Sequence, residues 1–336
     1  MADRMFLILD FLTREGWRDA LRTPLAGDAS ARRYERLQGA KGPAILMDAP
    51  PDNGQDVSLF IRVATHLRRS GFSAPEIYAA DEEAGLILLE DLGNEVFAKL
   101  VADDPSREAD LYRAATDMLL SVRNVEILPE LHVFTPARLS EMLDPFFDWY
   151  VDPQGCNVSV AARSDITGML EKLFSEFLSD EVVFCLRDCH AENLMWLGDR
   201  AGLARVGLLD FQDAVAAHPA YDVVSMLQDA RRDVSPNVSE AVLDRFIRES
   251  GADAERFRTA FALLGLQRNL RILGIFGRLS LQLGKPGYVR LIPRVWNHVQ
   301  TNLAHPVLLQ LADRLAGALS EPTDTSLQRL TPHVPA

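Results

Sequence analysis

The hydrophobic pattern of this chain changes at about residue 90, and that change constrains the fold more than any other feature of the sequence. Before it, short apolar runs alternate with turn-rich stretches such as GDASARRY and QGAKGP, which predicts strands joined by turns. After it, apolar residues recur at helical spacing, apart from a predicted hairpin between residues 194 and 211. The chain therefore divides into a strand-rich part and a helix-rich part.

The strand-rich part is expected to form a small antiparallel sheet with one inserted helix. The helix is predicted within 55–70, where apolar residues follow helical spacing up to Gly71. Strands are expected twice within 21–37 and at 44–47, 76–80 and 86–89. The predicted class is α+β with two lobes, 1–90 and 91–320. Residues 321–336, with three prolines and little apolar content, are expected to be a loosely attached tail.

Composition excludes several classes of protein. The 336 residues are 48% hydrophobic and 25% charged, as in ordinary globular proteins. A net charge of −13 disfavours binding to nucleic acid or to an anionic membrane surface. No apolar run approaches the roughly 20 residues that a membrane-spanning helix needs. Three cysteines without CxxC spacing predict neither a disulfide framework nor a zinc site, which favours a reducing cytoplasm.

Three oxygen-bearing side chains stand at strand ends in the helix-rich part. Asp188 and Asn193 lie five residues apart in LRDCHAENLMWL, and Asp210 ends the apolar run VGLLDF. One carboxylate can orient an acceptor hydroxyl, while an amide oxygen and a second carboxylate can bind Mg²⁺. This arrangement is typical of phosphoryl transfer from a magnesium nucleotide. His190 is expected to brace the loop through backbone carbonyls rather than to act in catalysis.

These motifs, in this order, resemble those of the aminoglycoside phosphotransferase (APH) superfamily, whose catalytic loop usually reads HGDxHxxN. The resemblance implies a bilobal, protein-kinase-like fold, with ATP and Mg²⁺ as cofactors. It assigns Asp188 as catalytic base and Asn193 and Asp210 as metal ligands. HPAYDVVSM is similar to the family's GDPxxDLA, which assigns Asp222 to bracing the catalytic loop.

Three further segments, GDASARRY, LMDAPPD and LLLEDLG, look most like one branch of that superfamily. Its members phosphorylate the anomeric hydroxyl of N-acetylmuramate and N-acetylglucosamine in cell-wall recycling. The resemblance implies a cytoplasmic enzyme with a small amino-sugar substrate. No nucleic acid, membrane or obligate protein partner is expected.

The chain departs from the family where the nucleotide phosphates bind. Met47 stands where the family has a lysine, Phe60 where it has the partner glutamate, and Leu186 where it has a histidine. The lysine and the glutamate of the family form an ion pair, and this chain lacks both. The joint loss is physically reasonable, because either charge alone would be buried without a partner. The candidate nucleotide-binding residues are Gly27, Ala29, Ser30, Arg32, Arg33, Glu90 and Leu92, with backbone groups near Glu90 expected to recognise adenine.

A long helix predicted at about 255–283 carries one polar stripe. Residues 256–312 contain no Asp or Glu, and Gln267, Arg271 and Arg278 fall on one face of this helix. We expect Arg271 and Arg278 to face the substrate, although a solvated face is the ordinary alternative. Asp213 is a candidate substrate-side carboxylate or a plain turn residue.

Three functions remain open at this point. The first is an anomeric amino-sugar kinase. The second is an aminoglycoside-modifying enzyme, which would need a carboxylate-lined pocket for a polycation. The third is a pseudokinase, favoured by the missing lysine and glutamate but disfavoured by the retained Asp188, Asn193 and Asp210.

Overall fold

The computed structural model describes residues 2–25, 32–51, 57–156 and 158–332. Its strands are β1 (Leu21–Pro24), β2 (Arg33–Gly39), β3 (Gly42–Asp48), β4 (Ile77–Asp81), β5 (Leu86–Glu90), β6 (Val183–Cys185), β7 (Leu194–Trp196), β8 (Val206–Leu208) and β9 (Val215–Ala217). Its helices are α1 (Ala2–Arg14), α2 (Val57–Arg69), α3 (Phe97–Asp103), α4 (Glu108–Val122), α5 (Pro136–Glu141), α6 (Asp144–Phe146), α7 (Val160–Phe177), α8 (Ala220–Leu227), α9 (Pro236–Ser250), α10 (Ala254–Leu281), α11 (Ile292–Leu303), α12 (Leu309–Leu315) and α13 (Asp324–Arg329).

One compact unit, Met1–Ala115 with Ala191–Asp213, contains the main sheet. Its order is β1-β2-β3-β5-β4, and every pairing is antiparallel, as predicted. Met47, the last residue but one of β3, lies opposite Tyr34 on β2 and Ile87 on β5. The predicted β7–β8 hairpin also forms in this unit.

Among the described residues of the first ninety, two helices occur rather than the single one expected. Within the predicted segment, α2 buries Phe60 and four other apolar residues. The sequence analysis gives no prediction for α1, where Asp10 interrupts the apolar run from Phe6 to Leu9. The buried positions of α1 are Ile8, Phe11 and Leu12, which follow helical spacing across Asp10 and pack into one core with Leu37 and Leu46.

The other compact unit, Thr116–His190 with Ala214–Ala336, is mostly helical. Its central element is α10, the predicted long helix, which has 28 residues and is buried over most of its length. A side chain at Gly274 would put its Cβ 2.1 Å from the Pro145 carbonyl oxygen, so α10 needs glycine at this close approach. The β6–β9 pair was not predicted, because three-residue strands carry no readable periodicity.

The expectation of a loosely attached tail is wrong for the residues described. Leu330 is fully buried, and the backbone carbonyl of Ser326 accepts a hydrogen bond of 3.0 Å from Gln154 Nε2. Tyr150 Oη also donates to the Ser320 carbonyl at 2.7 Å. The few apolar and small residues of the tail therefore suffice to dock it.

Across 2–25, 32–51, 57–156 and 158–332, no helix combines the length and the apolar character needed to cross a bilayer. The antiparallel sheet of one unit and the helices of the other confirm the α+β class.

Candidate active site

Asp188 lies on a loop that follows β6 and is held by a buried carboxylate. Asp222, in the first turn of α8, accepts hydrogen bonds from the backbone N–H groups of Leu186 (2.7 Å) and Arg187 (2.8 Å). Burial raises the pKa of Asp222 to about 7, while the two backbone donors act in the opposite direction. The ionised form of Asp222 is the one that accepts both bonds, so it fixes the backbone just before Asp188.

A buried arginine from α10 contacts the Asp188 carboxylate. Arg268 Nη2 lies 3.3 Å from Asp188 Oδ1 and donates to Ser225 Oγ at 2.9 Å. The side chain of Asp188 keeps 31% of its surface exposed, whereas that of Arg268 keeps 8%. Burial acts to raise the pKa of Asp188, but the Arg268 and Arg187 charges outweigh it and hold that pKa below its usual range. The structure thus presents an ionised, accessible carboxylate.

Only one arginine of the predicted polar stripe lies with this group. Arg271 is half-buried, and its charge interacts with those of Arg187, Arg268 and Asp188. Gln267 is buried and donates to the Leu139 carbonyl at 3.0 Å. Arg278 is exposed, bonds Gln282 Oε1 at 2.8 Å and lies about 10 Å along the helix axis from Arg271. The stripe is therefore not one continuous surface.

Three arginines of the acid-free segment 256–312 pair with carboxylates from other parts of the chain. Arg256 pairs with Asp180, Arg258 with Glu240 and Asp244, and Arg294 with Asp233. The positive charge of Arg256, Arg258 and Arg294 is thus balanced by these carboxylates. Arg268 and Arg271 of the same segment interact instead with Asp188.

His190 and Cys189 are both buried within the Asp188 loop. The backbone N–H of His190 donates to the Asp188 carbonyl at 3.1 Å, which tightens the turn. Burial lowers the pKa of His190, which favours its neutral form. The bracing role of the His190 side chain stays a prediction.

Asn193 and Asp210 come together in the unit that holds the sheet. Asn193 immediately precedes β7, Asp210 follows β8 by two residues, and Asn193 Nδ2 lies 3.5 Å from Asp210 Oδ2. Asp210 has a left-handed backbone, with φ of +55°, and its side chain is exposed. Gln212 donates from Nε2 to Asp210 Oδ1 at 2.6 Å. Asp213 is exposed, 3.5 Å from the same Gln212 nitrogen.

These donors fit a magnesium ion that a nucleotide brings with it. An Asp carboxylate and an Asn amide are hard oxygen donors, and protein Mg²⁺ is commonly held by one or two carboxylates plus substrate phosphates and water. Within the described part of the chain, no three His, Cys, Asp or Glu side chains gather as a metal cluster. This donor set matches a metal that arrives with phosphate ligands rather than a self-sufficient protein site.

Apolar packing replaces the absent lysine and glutamate. Met47 is fully buried and Phe60 is 4% exposed. The Phe60 ring stacks on Phe211, the residue after Asp210, with ring centroids 5.1 Å apart. This contact positions the segment that carries Asp210 without any buried charge.

Met47→Lys should therefore destabilise the protein rather than restore a phosphate ligand. An unpaired ammonium at this buried site should lower the free energy of unfolding by about 2–4 kcal/mol and should not lower the KM for ATP. Denaturant titration measures the free energy of unfolding of Met47→Lys. The control is the volume-conserving Met47→Leu, which should lower that free energy by less than about 1.5 kcal/mol. A stable Met47→Lys protein with tighter ATP binding would contradict the strand alignment.

Arg32 and Tyr34 lie on the side of the sheet toward Asp210. Arg32 hydrogen-bonds the Tyr34 side chain, whose pKa is raised by burial and further by the Asp210 charge. Arg33 alternates with Tyr34 along β2 and is exposed opposite Asp48. Arg32 is thus the better placed of the two predicted arginines. Gly27, Ala29 and Ser30 lie outside the described residues.

The predicted adenine-binding segment is fixed by ion pairs that the sequence analysis missed. The Glu90 carboxylate pairs with Arg68 and Arg200, and its backbone N–H donates to the Glu76 carbonyl at 2.8 Å. Arg36 binds Asp91 and donates to the Gly93 carbonyl at 2.9 Å. The side chain of Leu92 packs close to Gly207 of β8. The roles given to Glu90 and Leu92 stay predictions.

Several proteins of known sequence resemble this chain over most of its length. A profile of the phosphotransferase enzyme family APH matches residues 22–260. An N-acetylmuramate/N-acetylglucosamine kinase of Caulobacter vibrioides is 38% identical, over 90% of this chain and 93% of that protein. The protein of the same name in Pseudomonas aeruginosa is 31% identical, over 91% and 92%.

Solved structures share the fold at low sequence identity. Choline kinase LicA from Streptococcus pneumoniae has a TM-score of 0.64 at 12% identity and covers 88% of this chain and 99% of its own. ADP-bound aminoglycoside phosphotransferase APH(2'')-Ib has a TM-score of 0.59 at 10% identity, covering 88% and 97%. These neighbours confirm the predicted kinase-like fold. With the profile match and the relatives above, they lead to one assignment: the chain belongs to the APH family of phosphotransferase enzymes.

Proposed function

We propose that this protein transfers the γ-phosphoryl group of ATP to the anomeric hydroxyl of N-acetylmuramate and N-acetylglucosamine. The observation that carries the proposal is the 38% identity, over nine-tenths of both chains, to a relative named as a kinase of these two sugars. The Asp188, Asn193 and Asp210 arrangement supports it, because a non-catalytic binding protein has no need for all three. We place the reaction in the cytoplasm, where ATP is available.

Asp188 is the proposed catalytic base. The exposed part of its carboxylate can accept a hydrogen bond from the sugar hydroxyl and orient that oxygen for attack. Asp222 keeps the Asp188 loop in place, and Arg268 keeps Asp188 ionised. Because the transition state of phosphoryl transfer is loose, orienting the nucleophile matters more than a high pKa of the base.

Asp210 and Asn193 are the proposed ligands of Mg²⁺, with Gln212 orienting the Asp210 carboxylate. Bound magnesium would neutralise charge on the phosphate oxygens. Arg32 is the proposed cation for the nucleotide phosphates in place of the missing lysine, and the backbone near Glu90 and Leu92 the proposed adenine contact. Both assignments lie on the unit that carries the sheet.

The alternative of an aminoglycoside substrate is disfavoured by the charges around Asp188. Arg268 and Arg187 approach this carboxylate to 3.3 Å and 3.9 Å, and the Arg271 charge also interacts with it, so these charges disfavour a polycationic antibiotic. Asp213 and Arg278, the other predicted substrate contacts, are both exposed.

Phosphotransfer with magnesium ATP against amino sugars and aminoglycosides tests the proposal. We expect both N-acetylated sugars to be phosphorylated at the anomeric oxygen, as read by ³¹P and ¹H NMR of the product. Faster phosphorylation of a kanamycin-type compound, or product phosphorylated at another hydroxyl, would contradict it.

Charge reversal at the two arginines of the sheet should separate their roles. Arg32→Glu should raise the KM for ATP by about 10- to 100-fold, the range expected for loss of a charge-assisted hydrogen bond. Arg33→Glu, on the opposite face of β2, is the matched control and should change this KM little. Equal effects of both substitutions would remove Arg32 from the phosphate site.

A further inference from the structure

Arg36, on β2, binds the turn that follows β5. Its Nη1 donates to Asn94 Oδ1 at 2.6 Å, and its Nη2 donates to Asp91 Oδ1 at 3.0 Å and to the Gly93 carbonyl at 2.9 Å. Its Nε lies 2.7 Å from Asp91 Oδ2. A guanidinium group is a rigid, planar fork of donors, so it fixes the relative positions of the groups that it binds. Arg36 therefore holds the turn at both of its ends.

These contacts enclose Leu92, whose backbone is part of the proposed adenine contact. Arg36 binds both of its neighbours in sequence, Asp91 and Gly93. Asp91 Oδ1 also accepts a hydrogen bond of 2.9 Å from the Gly93 N–H, which closes the turn around Leu92. The side chains of Arg36 and Asp91 keep 21% and 7% of their surfaces exposed, so solvent screens this ion pair less than a surface pair.

The chain after the turn is attached to β7 by backbone bonds. The Glu95 carbonyl accepts a hydrogen bond of 2.7 Å from the Trp196 N–H, and Val96 forms an isolated β-bridge with Met195. All of these residues belong to the unit that holds the main sheet. Substituting Arg36 should therefore loosen the β2 side of the turn while its attachment to β7 persists.

Arg36 also shares a face of the sheet with the proposed phosphate site. Side chains alternate along a strand, so Arg36 and Tyr34 point to one face of β2 and Leu37 to the other. Leu37 packs into the core that includes α1. Tyr34 is the residue that Arg32 hydrogen-bonds. The side chain that holds the turn and the proposed phosphate cation thus lie on the same side of β2.

We propose that Arg36 is a positioning residue for the nucleotide, holding the turn Asp91–Asn94 so that the backbone of Leu92 meets the adenine ring. The guanidinium group is committed to the turn, so it acts through the backbone and not by touching the base. This inference rests on the proposed function, which takes ATP as the phosphoryl donor. It implies that Arg36 supports binding of the base and not of the phosphates.

Arg36→Gln tests this role when the binding of two ligands is compared. Calorimetry should show about 10-fold weaker binding of magnesium ATP, the loss expected when a backbone hydrogen bond to a ligand is no longer preorganised. Magnesium tripolyphosphate, which lacks the base and the ribose, should compete with ATP with an unchanged inhibition constant. Arg36→Lys keeps the charge without the planar fork and should lose nearly as much ATP affinity.

The matched control is Arg22→Gln. Arg22, on β1, binds the Glu35 carboxylate through bonds of 2.5 and 3.0 Å, and its side chain is 20% exposed, close to the value for Arg36. Glu35 precedes Arg36 on β2 and points to the opposite face of the sheet. The control should lower the midpoint of thermal unfolding about as much as Arg36→Gln and should leave the affinity for both ligands unchanged.

A second variant, Asp91→Asn, removes the other half of the ion pair and should show the same loss for ATP alone. Because binding is measured without sugar, the result is readable even if neither N-acetylated sugar is phosphorylated, which separates this inference from the proposed function. Equal losses for ATP and tripolyphosphate, or an equal loss of ATP affinity in Arg22→Gln, would show a general effect on the sheet and overturn the proposal. Unchanged ATP affinity in folded Arg36→Gln or Asp91→Asn protein would overturn it too.

Discussion

Asp188→Asn should lower turnover by about 10²–10⁴-fold while leaving the affinity for magnesium ATP nearly unchanged. That range is typical when a positioned acid–base group is removed. The amide keeps the shape of the side chain but cannot accept the hydroxyl proton. Nucleotide binding should persist, because the proposed metal ligands Asn193 and Asp210 belong to the other unit. Steady-state kinetics together with nucleotide titration measures both effects.

The matched control is Asp165→Asn. Asp165 is an exposed carboxylate of the same unit, 3.7 Å from Arg314, and should leave the rate unchanged when neutralised. The midpoint of thermal unfolding must also be measured for Asp188→Asn, because Arg268 loses a charged partner in this variant. Wild-type kinetics in a folded Asp188→Asn protein would remove Asp188 from the reaction.

The residues that short-range spacing connects could be predicted from the sequence. Asp188, Asn193 and Asp210 follow or precede apolar strands within 23 residues of one another, so their pattern is readable without a structure. The β7–β8 hairpin then brings Asn193 and Asp210 together as expected. Met47 and Phe60 stand where the resemblance places an ion pair, and both are buried.

Long-range contacts could not be read in this way. Arg268 follows Asp188 by 80 residues, and only the packing of α10 brings the two together. Arg268 lies outside the polar stripe of this helix. The stripe therefore predicts Arg271 and Arg278, and not Arg268, as substrate contacts. The neutralisation of Arg258 by Glu240 and Asp244 was hidden for the same reason, because these carboxylates come from α9.

Weak local signals in the sequence explain the two errors in the prediction of the fold. One aspartate on an exposed face of α1 concealed a helix whose buried face is intact. Prolines in the tail suggested looseness, yet Ser326 and Leu330 lie four residues apart and are both buried. In both segments a few correctly spaced residues outweighed an unfavourable average composition.

Asp210→Asn should weaken the binding of magnesium ATP itself and lower kcat/KM for ATP by about 10²–10³-fold, as when a preorganised electrostatic contact is removed. Asparagine tolerates the left-handed backbone of residue 210 better than alanine would, so the substitution removes the charge with little added strain. The stacking of Phe60 on Phe211 should hold the segment in place.

Asp213→Asn is the control for this variant, because Asp213 is exposed, three residues away and next to the same Gln212 nitrogen. If Asp210 is the metal ligand, its neutralisation alone should raise the concentration of Mg²⁺ needed for nucleotide binding, and Mn²⁺ titration followed by electron paramagnetic resonance should show the same loss. If the loss of any nearby negative charge weakens Mg²⁺ binding, Asp210→Asn and Asp213→Asn should both bind nucleotide more weakly. Equal nucleotide affinity of the Asp210 variant and the native protein would exclude Asp210 as the ligand and leave the metal to other oxygen donors.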